Sequence, residues 1–544
     1  MRCRQITAIF AAAALLIGSV GCMPNVRQNP KQTSEIREFT GFYAARLHET
    51  DEDNEIRQII AEKTGALVRQ EWDGDPDSCN RRFNSMMISG DYPDFLAPDA
   101  GNCQKLIKAN AFIPIDQYWD DYPNIRALYT DAQWNRVRAS DGHIYYIPLF
   151  SATNGKDSTP IYSGEAFWIQ VKVLAWDGYP TIRTPYEYFD LLERYLAANP
   201  TDANGDPYYG YEIEANEAWF FALDNPPMFL DGYPNDGCCI VDPDTHEAKD
   251  YNLSPTAKRW FALLNEEYQK GVIDQECFLL NGEQYYEKLR SGRVLGMVDQ
   301  QWNFSNAVSE LPADCTYIPL GLTIDAGIEE HYCDKMTFNN SEGVGVSTSC
   351  KEPRAALQFL NDLLEPEILN LRFWGVEGVD YSVREDGIFY QTEEQYERWN
   401  DAAYQASHLC QYDYMPFYQG MAPDGKNAFT ATNQPNIYYS HLPKEVQECF
   451  SAYGVQTFRE FLNVPGDNPP WYPMWSFSNT VTEDTDYGKI MNQIDAAKHK
   501  YLPLLVMSSD FEATWAEYTT AYGEINTQLY FDALTAEVQR RIGG

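Results

Sequence analysis

Between residues 36 and 96 the hydrophobic positions change rhythm at regular intervals. Residues 36–43 (IREFTGFY) read as a strand ending in a glycine and aromatics, and residues 66–72 (ALVRQEW) as a second strand. Between them, residues 53–63 (DNEIRQIIAEK) put Ile56, Ile59 and Ile60 on one face at helical spacing, and Thr64-Gly65 stops that helix. Helical character resumes over 83–88, Ser89-Gly90-Asp91-Tyr92-Pro93-Asp94 breaks it, and a short strand follows at Phe95-Leu96. Strands alternating with helices predict an α/β architecture with a largely parallel, doubly wound sheet. Ligands of such sheets sit at the carboxyl ends of the strands. That rule places Tyr43, Trp72 and the loop 97–102, which holds Asp99 and Asn102, near a cleft.

The start of the chain has a different pattern. Arg2 and Arg4 precede an apolar run over 6–20, too short to cross a membrane as a stable helix, which predicts a signal peptide over 1–21. Ser19-Val20-Gly21-Cys22 resembles a bacterial lipobox, in which Cys22 takes a lipid and becomes the first residue. Ser19 stands where leucine is usual in such boxes, so an ordinary secretory signal is the competing reading. The polar stretch that follows makes 22–35 a tether, holding the protein at a membrane without burying it. No later segment has the roughly 18 uninterrupted apolar residues of a transmembrane helix. With 544 residues the chain is long for one core, and two or more lobes are expected.

Composition narrows the function. A formal net charge of −39 argues against nucleic acid, which requires a basic stripe, and describes a self-repelling surface. Aromatics make up 14% of the chain, with 13 Trp and 38 Tyr, and flat apolar faces with a polar handle are what sugar rings stack on. Beyond Cys3 and Cys22, ten of the 12 cysteines remain. Cys79 with Cys103, Cys315 with Cys333 and Cys410 with Cys449 are the first disulfide candidates, although spacing does not fix connectivity. With 7 His and no matching CxxC pairs, a structural zinc site is not expected.

An ordered series of motifs carries a family resemblance. After 89–94 come Ala111-Phe112-Ile113-Pro114-Ile115-Asp116, Asp121-Tyr122-Pro123-Asn124-Ile125 and Asp141-Gly142-His143-Ile144-Tyr145-Tyr146-Ile147-Pro148. Phe167-Trp168-Ile169-Gln170 leads to Thr184-Pro185-Tyr186-Glu187-Tyr188-Phe189, and Lys270-Gly271-Val272-Ile273-Asp274 and LRSGRVLGMV (289–298) precede Trp302. Gly343-Val344-Gly345-Val346-Ser347 and the segment 374–381 (WGVEGVDY) complete it. Over about 36–390 the chain resembles the extracellular solute-binding proteins (family 1) of carbohydrate ABC transporters, a lipoprotein branch that also resembles alginate-binding proteins. The resemblance implies a two-lobed periplasmic-binding-protein-like fold (type II), with doubly wound sheets joined by hinge strands. Lobe one would hold 36–150 plus 340–375, and lobe two 154–335 plus 376–544, with crossings at 149–153, near 338–347 and near 374–381. Beyond 390 the family signal fades.

The resemblance assigns a role to Trp302, and position in the chain supplies the other candidates. Trp302, after a strand at 294–298 and a polar turn (Asp299-Gln300-Gln301), would stack on sugar; the competing reading is a lobe-two core residue. Trp374, before Gly375 and Gly378, is a second stacking candidate against a packed hinge residue, and Trp72 reads as cleft or core edge. Trp219 with Phe220, and Trp471 in the run 471–475, could wall lobe two or be buried in it. Asp99, Asn102, Glu377, Asn303 and Arg46 are the candidates for hydrogen bonds to hydroxyls, which supply selectivity because an unmatched buried donor costs about 1–3 kcal/mol. Asp202-Ala203-Asn204-Gly205-Asp206 resembles the opening of a calcium loop, but its glycine is fourth rather than sixth and Pro207 follows. A structural calcium through Asp202, Asn204 and Asp206 and a plain Asn-Gly turn are both open.

No GxSxG elbow, HExxH motif or Walker-type loop appears, and adjacent Cys238-Cys239 has no histidine arranged beside it. The expectation is a monomeric receptor with no required cofactor and no catalysis. It would bind an oligosaccharide between its lobes and deliver it to a membrane permease. A receptor of the same fold for a peptide or other non-sugar solute is the main alternative. A surface glycoside hydrolase is the other, since 80 Asp and Glu leave paired carboxylates open.

Overall fold

A computed structural model of the chain describes residues 36–543 except 46–50, 52, 140, 150–151, 216–218, 336–337 and 480. The expected signal, tether, lipid-bearing Cys22 and Arg46 lie outside the described residues. The strands that organise the fold are β1 (Arg37–Tyr43), β2 (Ala66–Trp72), β3 (Phe95–Ala97), β4 (Ile147–Pro148), β5 (Glu165–Gln170), β6 (Tyr209–Glu212), β7 (Val294–Gln300), β8 (Tyr317–Leu320) and β9 (Gly343–Val346). One sheet runs in the order β2-β1-β3-β9-β4 and the other β8-β5-β7-β6. In the first, β1 pairs in parallel with β2 and β3, while β9 runs antiparallel between β3 and β4. In the second, β5 runs antiparallel to both β7 and β8, so this sheet is mixed.

The local signals of the sequence explain the first lobe. Helix α1 (Glu55–Thr64) starts where the Asn54 side chain accepts the Arg57 N–H, and ends at Gly65, whose φ of 73° favours a residue without Cβ. Ile56 and Ile60 face the core. Helix α2 (Pro76–Ser89) begins well before the apolar spacing announces it, because Asp75 caps it and Pro76 opens it. Its first two turns are polar and carry no period to read.

Two large cores lie on the two sheets. Phe39, Phe95, Trp134, Val344 and Leu360 belong to the first, and Phe167, Trp168, Tyr188, Trp260 and Leu295 to the second. Trp374, Tyr381, Trp399, Tyr412 and Ile437 pack into the first core, whereas Val446, Phe450, Leu505, Tyr518 and Val538 pack into the second. The assignment of all of 376–544 to lobe two is therefore corrected for 376–437. The third passage between cores lies between Ile437 and Val446, not at 374–381. Arg372 shows why: its buried guanidinium donates to the carbonyls of Leu363 (3.0 Å), Gln411 (2.8 Å), Tyr412 (3.2 Å) and Pro416 (2.7 Å), stitching 411–416 onto lobe one.

The ten cysteines among the described residues are all free thiols, so the pairings 79–103, 315–333 and 410–449 are corrected as well. Cys410 lies in the first core and Cys449 in the second. Burial pushes the thiols of Cys103, Cys333, Cys410 and Cys449 each up to about 12, so they pack as small apolar groups rather than as nucleophiles.

Topology also fixes where the lobes meet. Gly343 of β9 sits opposite Pro148 and Gly345 opposite Leu96, so the chain leaves β4 and enters β9 at the edge where β1, β2 and β3 end. In the second sheet Gln300 sits opposite Glu165 and Leu320 opposite Phe167, so the chain enters β5 and leaves β8 at the edge where β7 ends. Both connections therefore join the carboxyl edge of one sheet to the carboxyl edge of the other.

Candidate functional site

On the lobe-one edge the last residues of β1 and β2, Tyr43 and Trp72, are paired in register, with ring centroids 4.7 Å apart. Tyr43 is fully buried, its hydroxyl turned to the Met415 sulfur at 3.8 Å, so it backs Trp72 rather than meeting a ligand. Trp72 is half-buried and also packs edge-to-face on Tyr414, 5.8 Å away. Tyr414 holds a φ of 58°, a left-handed backbone unusual for an aromatic residue, and its phenol is raised by burial, Glu342 and Asp413. Glu342, directly before β9, has its carboxyl raised by burial and by the charge of Asp99. Sequence reasoning missed Tyr414 and Glu342. An aromatic-rich stretch around Tyr414 was the available signal for one, and nothing marked the other.

The expected hydrogen-bonding groups of this edge are already engaged. Asp99 caps the helix α3 (Ala100–Lys108), its two oxygens accepting the Asn102 N–H at 3.0 Å and the Asn102 amide at 2.7 Å. Asn102 is buried and its own oxygen accepts from Lys105 Nζ at 3.1 Å. The two therefore fix the edge, and Asn102 is corrected from ligand contact to scaffold.

On the lobe-two edge β7 runs without a turn into α4 (Gln301–Val308), correcting the expected Asp299–Gln301 turn. Trp302 stands in the first turn of α4, 49% exposed, and its indole N–H donates to the Gln300 side chain. Trp219 meets it edge-to-face at 5.4 Å and is itself backed by Phe221 at 6.0 Å. These two tryptophans are brought together from positions far apart in sequence. Beneath them Asn303 donates to Glu214 (2.8 Å) and to both oxygens of Asp299 (3.0 and 3.1 Å), and accepts from the Tyr286 hydroxyl (2.6 Å). Asp299 also accepts from Tyr285 at 2.8 Å and from the Gln300 N–H at 2.6 Å. Asn303 thus anchors the platform from below instead of reaching outward.

Burial pushes the Asp299 carboxyl up to about 7, against the hydrogen bonds of Asn303, Tyr285 and the Gln300 N–H, which pull it down. A folded-state value above the unfolded one of about 4 means that this group stabilises the fold fully only below pH ~4 and loses that contribution as pH rises to ~7. Asp299→Asn is therefore expected to leave stability near wild type at pH 4 and to raise it above pH 7, by up to about 4 kcal/mol. Chemical denaturation at the two pH values measures the difference, and equal offsets at both would contradict it.

The remaining candidates sit elsewhere. Trp374 is 0% exposed, donates its N–H to the Ala428 carbonyl at 3.0 Å and packs on Tyr381 and Phe389. It is a core residue, and the stacking role is corrected. Trp471 is likewise buried in the second core beside His246, its carbonyl held by Arg541 at 2.6 Å. Glu377 is exposed beside Tyr381, whose phenol its charge raises. In the 202–206 loop the Asp202 carboxylate accepts the N–H groups of Asn204 and Asp206, both at 2.9 Å, with Asn204 and Asp206 exposed. Among the described residues no three His, Cys, Asp or Glu gather to hold a metal ion. The loop has the hydrogen bonding of a turn.

Among the described residues no helix is long and apolar enough to cross a membrane. No family model matches the chain, and no curated protein matches it. Solved structures do. An HMO-binding, ABC-transporter-associated solute binding protein from Bifidobacterium longum infantis is 14% identical over 92% of this chain and 98% of that one, with a TM-score of 0.55. The S. pneumoniae ABC-transporter substrate binding protein FusA, an EF-hand mutant in complex with fructo-nystose, is 14% identical over 93% and 100%, with a TM-score of 0.53. An extracellular solute-binding protein from B. longum subsp. infantis is 13% identical over 93% and 98%, with a TM-score of 0.50. The chain has the two-lobed α/β fold of these solute-binding proteins.

Proposed function

We propose that the chain is the substrate-binding lipoprotein of an ABC importer, taking up an oligosaccharide between the two strand edges and handing it to a membrane permease. The observation that carries this reading is the pair of accessible aromatic groups, Trp72 with Tyr414 and Trp302 with Trp219, one at each of the edges that the interlobe connections join. Stacked faces supply affinity with little selectivity, and the fixed polar groups around them supply the rest. Glu342 beside Tyr414 on one side and Gln300, which accepts the Trp302 indole N–H, on the other are polar residues beside those rings.

In this reading the open protein binds sugar on one edge and the connecting strands let the other close over it. Closure removes water, and the ligand acts through its preference for the closed state. The named solute-binding proteins of the same fold support the saccharide class, and FusA supports it directly with its bound fructo-nystose. Cys22 would hold the monomeric receptor at the outer face of the membrane by a lipid, and no cofactor is required.

Thermal unfolding in the presence of single oligosaccharides tests the ligand class. A ligand at 100 times its Kd adds about 2.7 kcal/mol of stability, a clear rise in Tm. A rise with neutral oligosaccharides and none with peptides of similar size is the expected result. The reverse pattern would assign a non-sugar solute.

A further inference from the structure

A cavity lies at the crossing between the lobes. It encloses about 670 Å³, within the range of roughly 300–1,000 Å³ that small-molecule sites occupy. None of Trp72, Asp99, Trp219 or Trp302 lines it. Its walls come from three bodies: Tyr129 of the first core, Leu462 of the second, and the crossing segment from Ala152 to Thr159. Its volume therefore depends on the angle between the lobes.

The lining has a definite chemistry. Tyr129 gives its hydroxyl to the Pro148 carbonyl at 2.9 Å and so presents a ring, and Met421 and Leu462 add apolar surface. Every cation on the wall already faces a carboxylate. Lys156 meets Glu460 at 3.3 Å, Arg459 meets Asp157 at 3.3 Å, and Lys335 meets Asp467. A charged guest would break one of these pairs or bring an unbalanced charge out of water, which is unfavourable. Ser158 is different: it lines the cavity, is only 6% exposed, and its Oγ has no hydrogen-bond partner among the described residues. A buried hydroxyl without a partner is costly and points to a ligand group that completes it.

We propose that this hinge cavity is a second binding site, for an uncharged small molecule that combines an apolar ring or chain with a hydroxyl, and that its occupant sets the angle between the lobes. A guest touching both lobes binds one angle better than another, and by linkage it changes the affinity at any site whose walls the same angle brings together. Only that last consequence, for saccharide affinity, rests on the receptor reading above.

The test is a fluorine NMR titration of the purified protein with 4-fluorobenzyl alcohol, compared with 4-fluorobenzoate and 4-fluorobenzylamine. Saturable binding of the alcohol, with both charged analogues at least about tenfold weaker, is expected. Ser158→Ala should weaken the alcohol by about tenfold. Val464→Trp fills the mouth from a residue that is 73% exposed, so it tests occupancy without disturbing the core, and it should abolish binding. Small-angle scattering should show a change in radius of gyration with the alcohol in wild type and none in Val464→Trp. No saturation, equal binding of all three probes, or wild-type behaviour in Val464→Trp would overturn the site. Binding without any change in scattering would overturn its control of the lobe angle. If saccharides prove not to bind at all, these results stand unchanged, so the two readings fail separately.

Discussion

Trp302→Ala is expected to weaken oligosaccharide binding roughly 30- to 150-fold, a loss of about 2–3 kcal/mol, while leaving the fold intact. An indole face covering about 100 Å² of sugar at about 25 cal/mol per Å² is worth about 2.5 kcal/mol. The fold should survive because the ring is 49% exposed and its described partners are the Gln300 side chain and the edge of Trp219. Trp219→Ala should have a smaller effect in the same direction, since Trp219 buttresses the ring. Trp302→Phe should recover part of the loss, because a flat face remains. Calorimetric Kd values with circular dichroism melts separate the two properties. Unchanged affinity in Trp302→Ala would remove the lobe-two platform from the site.

Trp374→Ala is expected to do the opposite. Emptying the space of a fully buried indole costs about 3–5 kcal/mol of stability, and the Ala428 carbonyl loses its donor. Tyr381 and Phe389, the ring neighbours, lose their packing face. The denaturation midpoint should fall with little change in slope, while the fraction that remains folded binds ligand with near wild-type Kd. A Kd raised tenfold or more with unchanged stability would return Trp374 to the site. Both residues are tryptophans that follow apolar segments, and only burial separates a stability residue from a binding one.

That contrast shows what the sequence carries and what it lacks. The strand–helix alternation from β1 to β3 is local, written in the Ile56–Ile60 face and the Asn54 and Gly65 ends of α1, and it is legible. Tyr43 and Trp72 were placed near the edge because each ends a strand, which is a rule about topology. The assignment of 376–437 failed because the decisive contacts, from Arg372 to carbonyls about 40 residues on, leave no periodic trace. Asn303 and Asn102 look like ligand contacts by position, yet their hydrogen bonds go to Asp299, Glu214, Asp99 and Lys105, neighbours that only the fold reveals. Tyr414 and Glu342 reach the same edge from strands and loops hundreds of residues after Trp72. Spacing arguments do not span that distance.

The free cysteines follow the same logic. An even number permits disulfides in an exported chain, but nine of the ten described thiols are buried, and Cys410 and Cys449 lie in different cores. The mixed second sheet is a further case. The antiparallel placement of β5 between β7 and β8 brings the chain in and out at the edge where β7 ends and Trp302 follows.

In the proposed function a saccharide binds between these edges and leaves unaltered. Isothermal titration of the purified protein with a panel of oligosaccharides, followed by chromatography of the recovered ligand, tests it most directly. A saturable one-to-one heat is expected for at least one oligosaccharide, with the ligand recovered at its original length. Recovery of shortened sugar, or no heat across the panel, would contradict it.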